Sequence, residues 1–288
     1  METVVEGKNS RVIISKTTPT VIIGERINPT GRKRFTAALK ERDFNFIIQE
    51  AIRQVAAGAH IIDVNVGASG IDEEELLPEV VKRIADAVDV PLCIDSSNPA
   101  ALEAALKVCP GRPLLNSTTG EEKSLKTILP LAKKYNVPVI ALVNDERGIP
   151  KDAATRVAIA KKILDSAVRL GIAPEDILID VLVLPIGADT ETGKVTFDAA
   201  RRISEEVGLN IVVGASNVSH GLPDRKVINT AFFALGAACG MTAYIADPTV
   251  VEITQTILAA DLLLGKDEWA GNYISFYRKK EASKNAAA

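Results

Sequence analysis

The stretch HIIDVNVGASGIDEEELLPEVVKRIADAVDVPLCID, residues 60–95, decides the fold. It opens on a short apolar run that stops at Asp63 and Asn65, and it closes on a second run that stops at Asp95. Each run is nearly continuous in Val, Ile and Leu, without alternation, as in a parallel strand buried on both faces. Between them Leu76, Leu77, Val80, Val81, Ile84 and Val88 recur at three-to-four spacing, the stripe of an amphipathic helix. Strand, helix and parallel strand make one repeating unit.

The same grammar extends in both directions. The apolar runs are TVIIGE (20–25), HIIDVN (60–65), PLCID (91–95), PLLNS (113–117), PVIALVN (138–144), ILIDV (177–181), NIVVGASN (210–217) and MTAYIAD (241–247). Helical stripes lie between them. One follows Asp43 through Phe46, Ile47, Ile52 and Val55 and stops at Gly58. Asn98-Pro99 and Asp247-Pro248 read as a cap followed by a first helical turn. Eight such units at a spacing of about 30 residues, with no linker-like stretch between any two, predict a single (β/α)8 barrel. A doubly wound sheet fits less well, because Gly24-Glu25-Arg26-Ile27-Asn28 is not the G-x-G-x-x-G turn expected after its first strand. The expected organisation is a lead-in over 1–19, the barrel over 20–265, and a C-terminal extension over 266–288. That extension frays from Arg278, where the chain turns polar and then alanine-rich.

The 288 residues are 47% hydrophobic and 25% charged, the proportions of a soluble globular protein. With 34 basic against 37 acidic residues the formal net charge is −3, which argues against a nucleic-acid binder that works through a basic field. Met1 to Ser10 carry no apolar signal segment, and no run approaches the ~20 apolar residues of a membrane span, so a cytoplasmic protein is expected. Cys93, Cys109 and Cys239 are isolated thiols, read as small buried hydrophobes. His60 and His220 are the only histidines, too few for a three-histidine metal site.

In such a barrel the chemistry sits at the C-terminal ends of the strands. There the chain places Glu25, Asp63, Asn65, Asp95, Asn116, Asn144, Asp180, Ser216, Asn217 and Asp247, with only Arg26 close by and no lysine. Asp247 and Asn98 read as caps. Asp63, Asp95 and Asp180 each end an unbroken apolar run and should point into the mouth. A hard cation draws several ligands from one loop, and phosphate chemistry wants Lys or Arg beside the acids; neither accompaniment is seen. Carboxylate plus carboxamide instead suits a flat heterocycle with adjacent N–H donors and a carbonyl.

Several strings resemble the pterin-binding methyltransferases that act with corrinoid proteins: VIIGERIN (21–28), IDVNVG (62–67), IDSSN (94–98), LNST (115–118), GIPKD (148–152), Ile179-Asp180 with Leu184-Pro185, and ASNVS (215–219). The resemblance runs over roughly residues 20–265. It implies a tetrahydrofolate or 5-methyltetrahydrofolate in the mouth, its pterin held by Asp95, Asn116 and Asp180, with Asn217 beside N5 as the catalytic group. Glu25, Gly214, Ser216, His220 and Arg225 follow as further substrate contacts. His220 stands where Gln is expected, and Val181 where the related enzymes tend to have Pro.

The implied reaction moves a methyl group between a corrinoid and N5 of tetrahydrofolate, with no metal in the folate site. Neither histidine lies in D-x-H-x-x-G, so the cobalamin comes from a partner corrinoid protein, or free, and docks over the mouth. The related dihydropteroate synthases are the alternative, but NPTGRK (28–33) lacks their N-x-T-P-D-S-F-type segment and GASN (214–217) lacks their lysine. A non-catalytic folate-binding partner of a corrinoid protein is the other. The apolar breadth of Val227 to Met241, and the dimeric habit of the family, lead us to expect a homodimer. The competing reading packs this helix under the C-terminal tail with Trp269.

Overall fold

The computed structural model describes residues 1–287. Eight parallel strands form a closed barrel in the order β10-β3-β4-β5-β6-β7-β8-β9. They are β3 (Val21–Ile27), β4 (Ile61–Asn65), β5 (Leu92–Asp95), β6 (Leu114–Thr119), β7 (Val139–Leu142), β8 (Ile177–Asp180), β9 (Asn210–Gly214) and β10 (Ala243–Ala246). All eight expected runs are barrel strands. The outer ring holds α1 (Lys33–Glu41), α2 (Phe44–Ala56), α3 (Glu73–Ala87), α4 (Pro99–Val108), α5 (Glu122–Tyr135), α6 (Ala153–Arg169), α7 (Thr192–Arg202), α8 (Arg225–Ala238) and α9 (Val251–Leu263).

The strand period of two sorts side chains to the two faces of the barrel wall. Ile22, Ile62, Ile94, Leu115 and Ile179 face outward and pack with Leu76, Leu77, Val80, Val81 and Ile84 of α3 and its neighbours in the larger core. Ile23, Ile61, Cys93, Leu114, Ile140, Leu178, Val212 and Ala243 face inward and fill the barrel's lower half. Two residues further along the same strands lie Glu25, Asp63, Asp95, Asn116 and Asp180. Alternation therefore delivers them to the inside, immediately above the apolar layer.

The lead-in forms a hairpin. Strands β1 (Thr3–Glu6) and β2 (Arg11–Ile14) pair antiparallel, Thr3 opposite Ile14. Val5 and Ile14 are fully buried and join the inner layer, so the hairpin is the floor of the barrel. Asn210 of β9 donates to Thr3 Oγ1 at 3.0 Å and to the Ile14 carbonyl at 2.8 Å, while Arg112 donates to the Val4 carbonyl at 2.7 Å. His60 belongs to this lower end, its Nδ1 accepting from the Ile22 N–H at 3.0 Å.

Three expectations change. Asn98 does cap α4, accepting from Ala100 N at 2.9 Å. Asp247, however, caps no helix: α9 begins at Val251 after Val250, and Asp247 accepts from Thr249 N at 2.9 Å and from Arg26 at 2.6 Å. The tail expected to fray from Arg278 is helical, within α10 (Gly271–Ala287); Ala288 lies outside the described residues. Trp269 is 95% exposed and covers nothing, so the tail does not bury α8 through it. The outer face of α8 instead carries exposed Val227 and Leu235 beside a groove shared with Phe197 of α7.

Candidate functional site

Asp63, Asp95 and Asn116 come from adjacent strands at adjoining levels. Asn65 pairs in register with Asp95, and Asp95 with Asn116. Asn65 Nδ2 donates to Asp95 at 2.8 Å, and Asn116 Nδ2 donates to Asp63 at 3.2 Å. Burial raises the Asp95 carboxyl to about 6, against the lowering pull of the Asn65 hydrogen bond. Asp63 lies deeper; burial and the neighbouring Asp95 push it well above the usual carboxylate range. Two anions side by side under low dielectric are disfavoured, and burial weighs most on the deeper one. The sequence reading counted Asp63 as a mouth residue; it is instead a buried support that orients Asn116.

Asp180 ends β8 and accepts the Leu182 N–H at 2.7 Å, with a second backbone bond from Gly214. Burial raises it to about 6. Leu182 has φ of 60°, a left-handed conformation that a branched side chain seldom adopts. Its backbone is held on both sides: the N–H by Asp180, and the carbonyl by Arg156 at 2.7 Å and Thr196 at 3.0 Å. Arg156, only 1% exposed, also donates to the Val181 and Pro150 carbonyls. No local pattern signals this role, since Arg156 reads as one more polar residue of the α6 stripe.

Across the mouth, Glu25 accepts from Ser216 Oγ at 2.8 Å, and burial raises its carboxyl to about 7. Gly24 before it admits α2: a Cβ there would lie 2.5 Å from Gln54 Oε1, which accepts the Arg26 N–H at 2.9 Å. The turn Ala215–Ser219 after β9 is tied down by Arg225, which donates to the Ser216 carbonyl at 2.6 Å and to Ser219 Oγ at 3.0 Å. That turn presents Asn217 exposed at the rim, next to Gly214. Arg225 is thus a brace for the Asn217 turn. His220 is exposed on the same loop and makes no side-chain hydrogen bond among the described residues.

A hollow of about 430 Å³ runs outward from Asp95, lined by hydroxyls of Ser96, Ser97, Ser117, Thr119 and Ser124. A second, of about 370 Å³, opens on the other side of Asp95 and Ser97 beneath Asn65 and Gly67. The arrangement supplies ionisable acceptors (Asp95, Asp180, Glu25) and carboxamides on opposite sides of one opening. Among the described residues no group of three or more His, Cys, Asp or Glu is placed to hold a metal ion. Nor is Arg26 the only cation near the mouth, nor is lysine absent: Arg32, Arg156 and Arg225 stand within its walls or rim, and Lys123 lines the hollow at Asp95.

Residues 24–247 match the family of pterin binding enzymes. The methylcorrinoid:tetrahydrofolate methyltransferase of Eubacterium limosum is 33% identical over 267 residues, 90% of this chain and 96% of that protein. The methionine synthase of Mycobacterium tuberculosis is 30% identical over 74% of this chain, which corresponds to 19% of that longer protein. Among solved structures, a dihydropteroate synthase of Xanthomonas albilineans with 4-aminobenzoic acid superposes with a TM-score of 0.70 at 18% identity, covering 91% of this chain and 98% of its own. One from Yersinia pestis gives 0.67 at 20% identity, covering 92% and 99%. At such identities these structures speak for the fold alone. The barrel, its acid-lined mouth and a relative that shares nearly its full length converge: the chain belongs to the pterin-binding enzymes, and among them to the methylcorrinoid:tetrahydrofolate methyltransferases.

Proposed function

We propose that the protein transfers a methyl group between a methylated corrinoid and N5 of tetrahydrofolate. The observation that carries this reading is the inward placement of Asp95, Asn116 and Asp180 directly above the apolar layer of the barrel. A pterin edge presents adjacent N–H donors and a carbonyl. Ionised Asp95 and Asp180 are acceptors for the former, and the carboxamide of Asn116 serves both. Glu25, Gly214, Ser216, His220 and Arg225 complete the folate surroundings, Arg225 by holding the loop.

In the transfer, the N5 lone pair forms the new bond to the methyl carbon. The corrinoid, as the methyl-donating co-substrate, would leave with the bonding pair, and N5 releases its proton to solvent water at the open rim beside exposed Asn217. Positive charge develops at N5, and the Asn217 carboxamide oxygen accepts from N5–H most strongly there, a stabilisation specific to the transition state. Asn217 at the open rim suits a co-substrate that arrives from outside. The corrinoid is carried by a partner protein docking over the mouth. The exposed apolar face of α8 pairs two copies into a homodimer, and the enzyme works in the cytoplasm.

The dihydropteroate synthase reading has less support, since the turn after β9 carries no lysine for a diphosphate leaving group. The test is spectroscopic. The protein is mixed with methylcobalamin and tetrahydrofolate, and separately with cob(I)alamin and 5-methyltetrahydrofolate, while the cobalt absorption bands are followed. Conversion in either direction is expected. Folate binding without conversion, even with a methylated corrinoid protein, would reduce the chain to a non-catalytic folate-binding partner.

A further inference from the structure

The Asp180 carboxyl is bonded by backbone N–H groups, those of Leu182 and Gly214, and by no cation directly. A cation nonetheless stands behind it. Arg156, in the first turn of α6, is 1% exposed, and every acceptor it finds is neutral. Its Nε donates to the Pro150 carbonyl at 3.1 Å. Its Nη1 donates to the Val181 and Leu182 carbonyls, each at 2.7 Å, and to Thr196 Oγ1 at 3.3 Å. Burying a guanidinium this deeply is costly unless its charge is compensated. Asp180 supplies that compensation at one remove.

The link is a single peptide unit. The Val181 carbonyl accepts from Arg156 Nη1, and the N–H of that same peptide, which belongs to Leu182, donates to Asp180 Oδ1 at 2.7 Å. Two hydrogen bonds through one amide polarise it in the same sense, so each strengthens the other. Burial pushes the Asp180 carboxyl up to about 6, while the Leu182 and Gly214 N–H groups and the charge of Arg156 pull it down. The remaining neighbours are uncharged: Leu142 of β7 and Val212 of β9 lie opposite Asp180 in the sheet, and Thr196 of α7 faces Leu182. Asp152, ahead of α6, acts on Arg156 itself. The same grip holds Leu182 at φ of 60°, its carbonyl shared by Arg156 and Thr196. Through Pro150 it also ties the loop after β7 to the loop after β8.

We propose that Arg156 is a positioning residue for the folate: through the Val181–Leu182 peptide it orients the Asp180 carboxylate in the mouth and stabilises its negative charge. Sealed behind the strand ends, it touches no substrate itself. The proposal rests on the folate reading above, in which Asp180 must be ionised to accept the N–H groups of the ring.

The test is calorimetric titration of the full chain with tetrahydrofolate at pH 6 and pH 8, for the wild type, Arg156→Gln and Arg156→Lys. Loss of the charge should raise the Asp180 midpoint by about one pH unit. The affinity lost in Arg156→Gln should then be about fivefold greater at pH 6 than at pH 8. Asp95 and Glu25 titrate in every chain and cancel in that ratio. Arg156→Lys, which keeps the charge, should restore the wild-type pH profile. In an Asp180→Asn background, Arg156→Gln should change affinity by the same factor at both pH values. A loss that is equal at both pH values with Asp180 in place would make Arg156 a purely structural residue and overturn the proposal. So would a pH-dependent loss that persists in the Asp180→Asn background. If Arg156→Gln does not fold, Thr196→Val decides: it removes one hold on the Leu182 carbonyl and should weaken folate binding about threefold, and unchanged affinity would overturn the proposal. Failure of the wild-type chain to bind tetrahydrofolate would overturn the folate reading as well; binding without these shifts overturns the positioning role alone.

Discussion

The two ends of the barrel are made by the same strands and differ by one inward step along each. At Ile23, Ile61, Cys93, Leu114 and Leu178 the inward side chain is apolar; two residues on it is Glu25, Asp63, Asp95, Asn116 and Asp180. Below, the β1–β2 hairpin closes the floor and the polar groups of Thr3 and Asn210 bond to one another. Above, carboxyls are held part-buried with pKa values of about 6 to 7, an arrangement that costs stability and suits a ligand rich in N–H donors. The lower end holds the fold together, and the upper end is left unsatisfied for use.

Substitutions at the two ends should separate those roles. Ile14→Ala empties part of the floor and should cost about 2 to 5 kcal/mol of stability, read as a lowered Tm, while the folded fraction binds folate unchanged. A loss of folate affinity as large as the loss of stability would erase the distinction between the ends. Asn217→Ala, at the opposite pole, should leave Tm nearly constant and lower the single-turnover methyl-transfer rate by about 10² to 10³, with a modest effect on folate affinity. Asn116→Ala is its control: equal proportional losses of binding and rate in both variants would make Asn217 one more pterin contact.

Asp95→Asn and Asp180→Asn should each weaken tetrahydrofolate binding by roughly 1.5 to 3 kcal/mol, measured by titration calorimetry, since each removes a charge-assisted acceptor. Unchanged affinity in both would move the pterin elsewhere.

The smallest effect concerns pH. Folded Asp95, Asp180 and Glu25 hold protons up to about 6 to 7, above their ordinary values of 3.8 and 4.5. Between those limits the folded chain binds more protons than the unfolded one. Stability of the ligand-free protein therefore falls as pH rises from about 4 to 7. Folate needs the ionised acceptors, so each carboxyl near 6 should contribute about a tenfold rise in affinity over pH 5 to 7, with proton release on binding near pH 6. Affinity that is flat with pH would mean the carboxyls do not face the ring.

Most of the barrel was legible because a parallel strand buried on both faces leaves a nearly unbroken apolar run, and seven of the eight runs here end on a polar residue. TVVE and RVII were not legible. They are four residues each, and their burial comes from a floor that exists only once the barrel closes. The site was legible where strand period alone decides direction, as for Asp95, Asn116 and Asp180. It was not where distant elements meet. Arg156 reaches Leu182 from α6, and Arg32 meets Arg26 through Glu50 on α2, juxtapositions that no local pattern encodes.

Synthesis runs from the N-terminus, so β1 and β2 leave the ribosome before every strand they seal. Thr3 Oγ1 donates to the Glu175 carbonyl, 172 residues along, and accepts from Asn210, 207 along. Until β8 and β9 have emerged, Val5 and Ile14 have no layer to enter. Contacts that remote close slowly, and the waiting apolar face is open to other chains. Docking of the hairpin is thus a late event in assembly. A bulky group attached just ahead of Thr3 would hold the molecule ajar at the end opposite its chemistry, lowering the yield of folded protein while leaving each folded copy fully active.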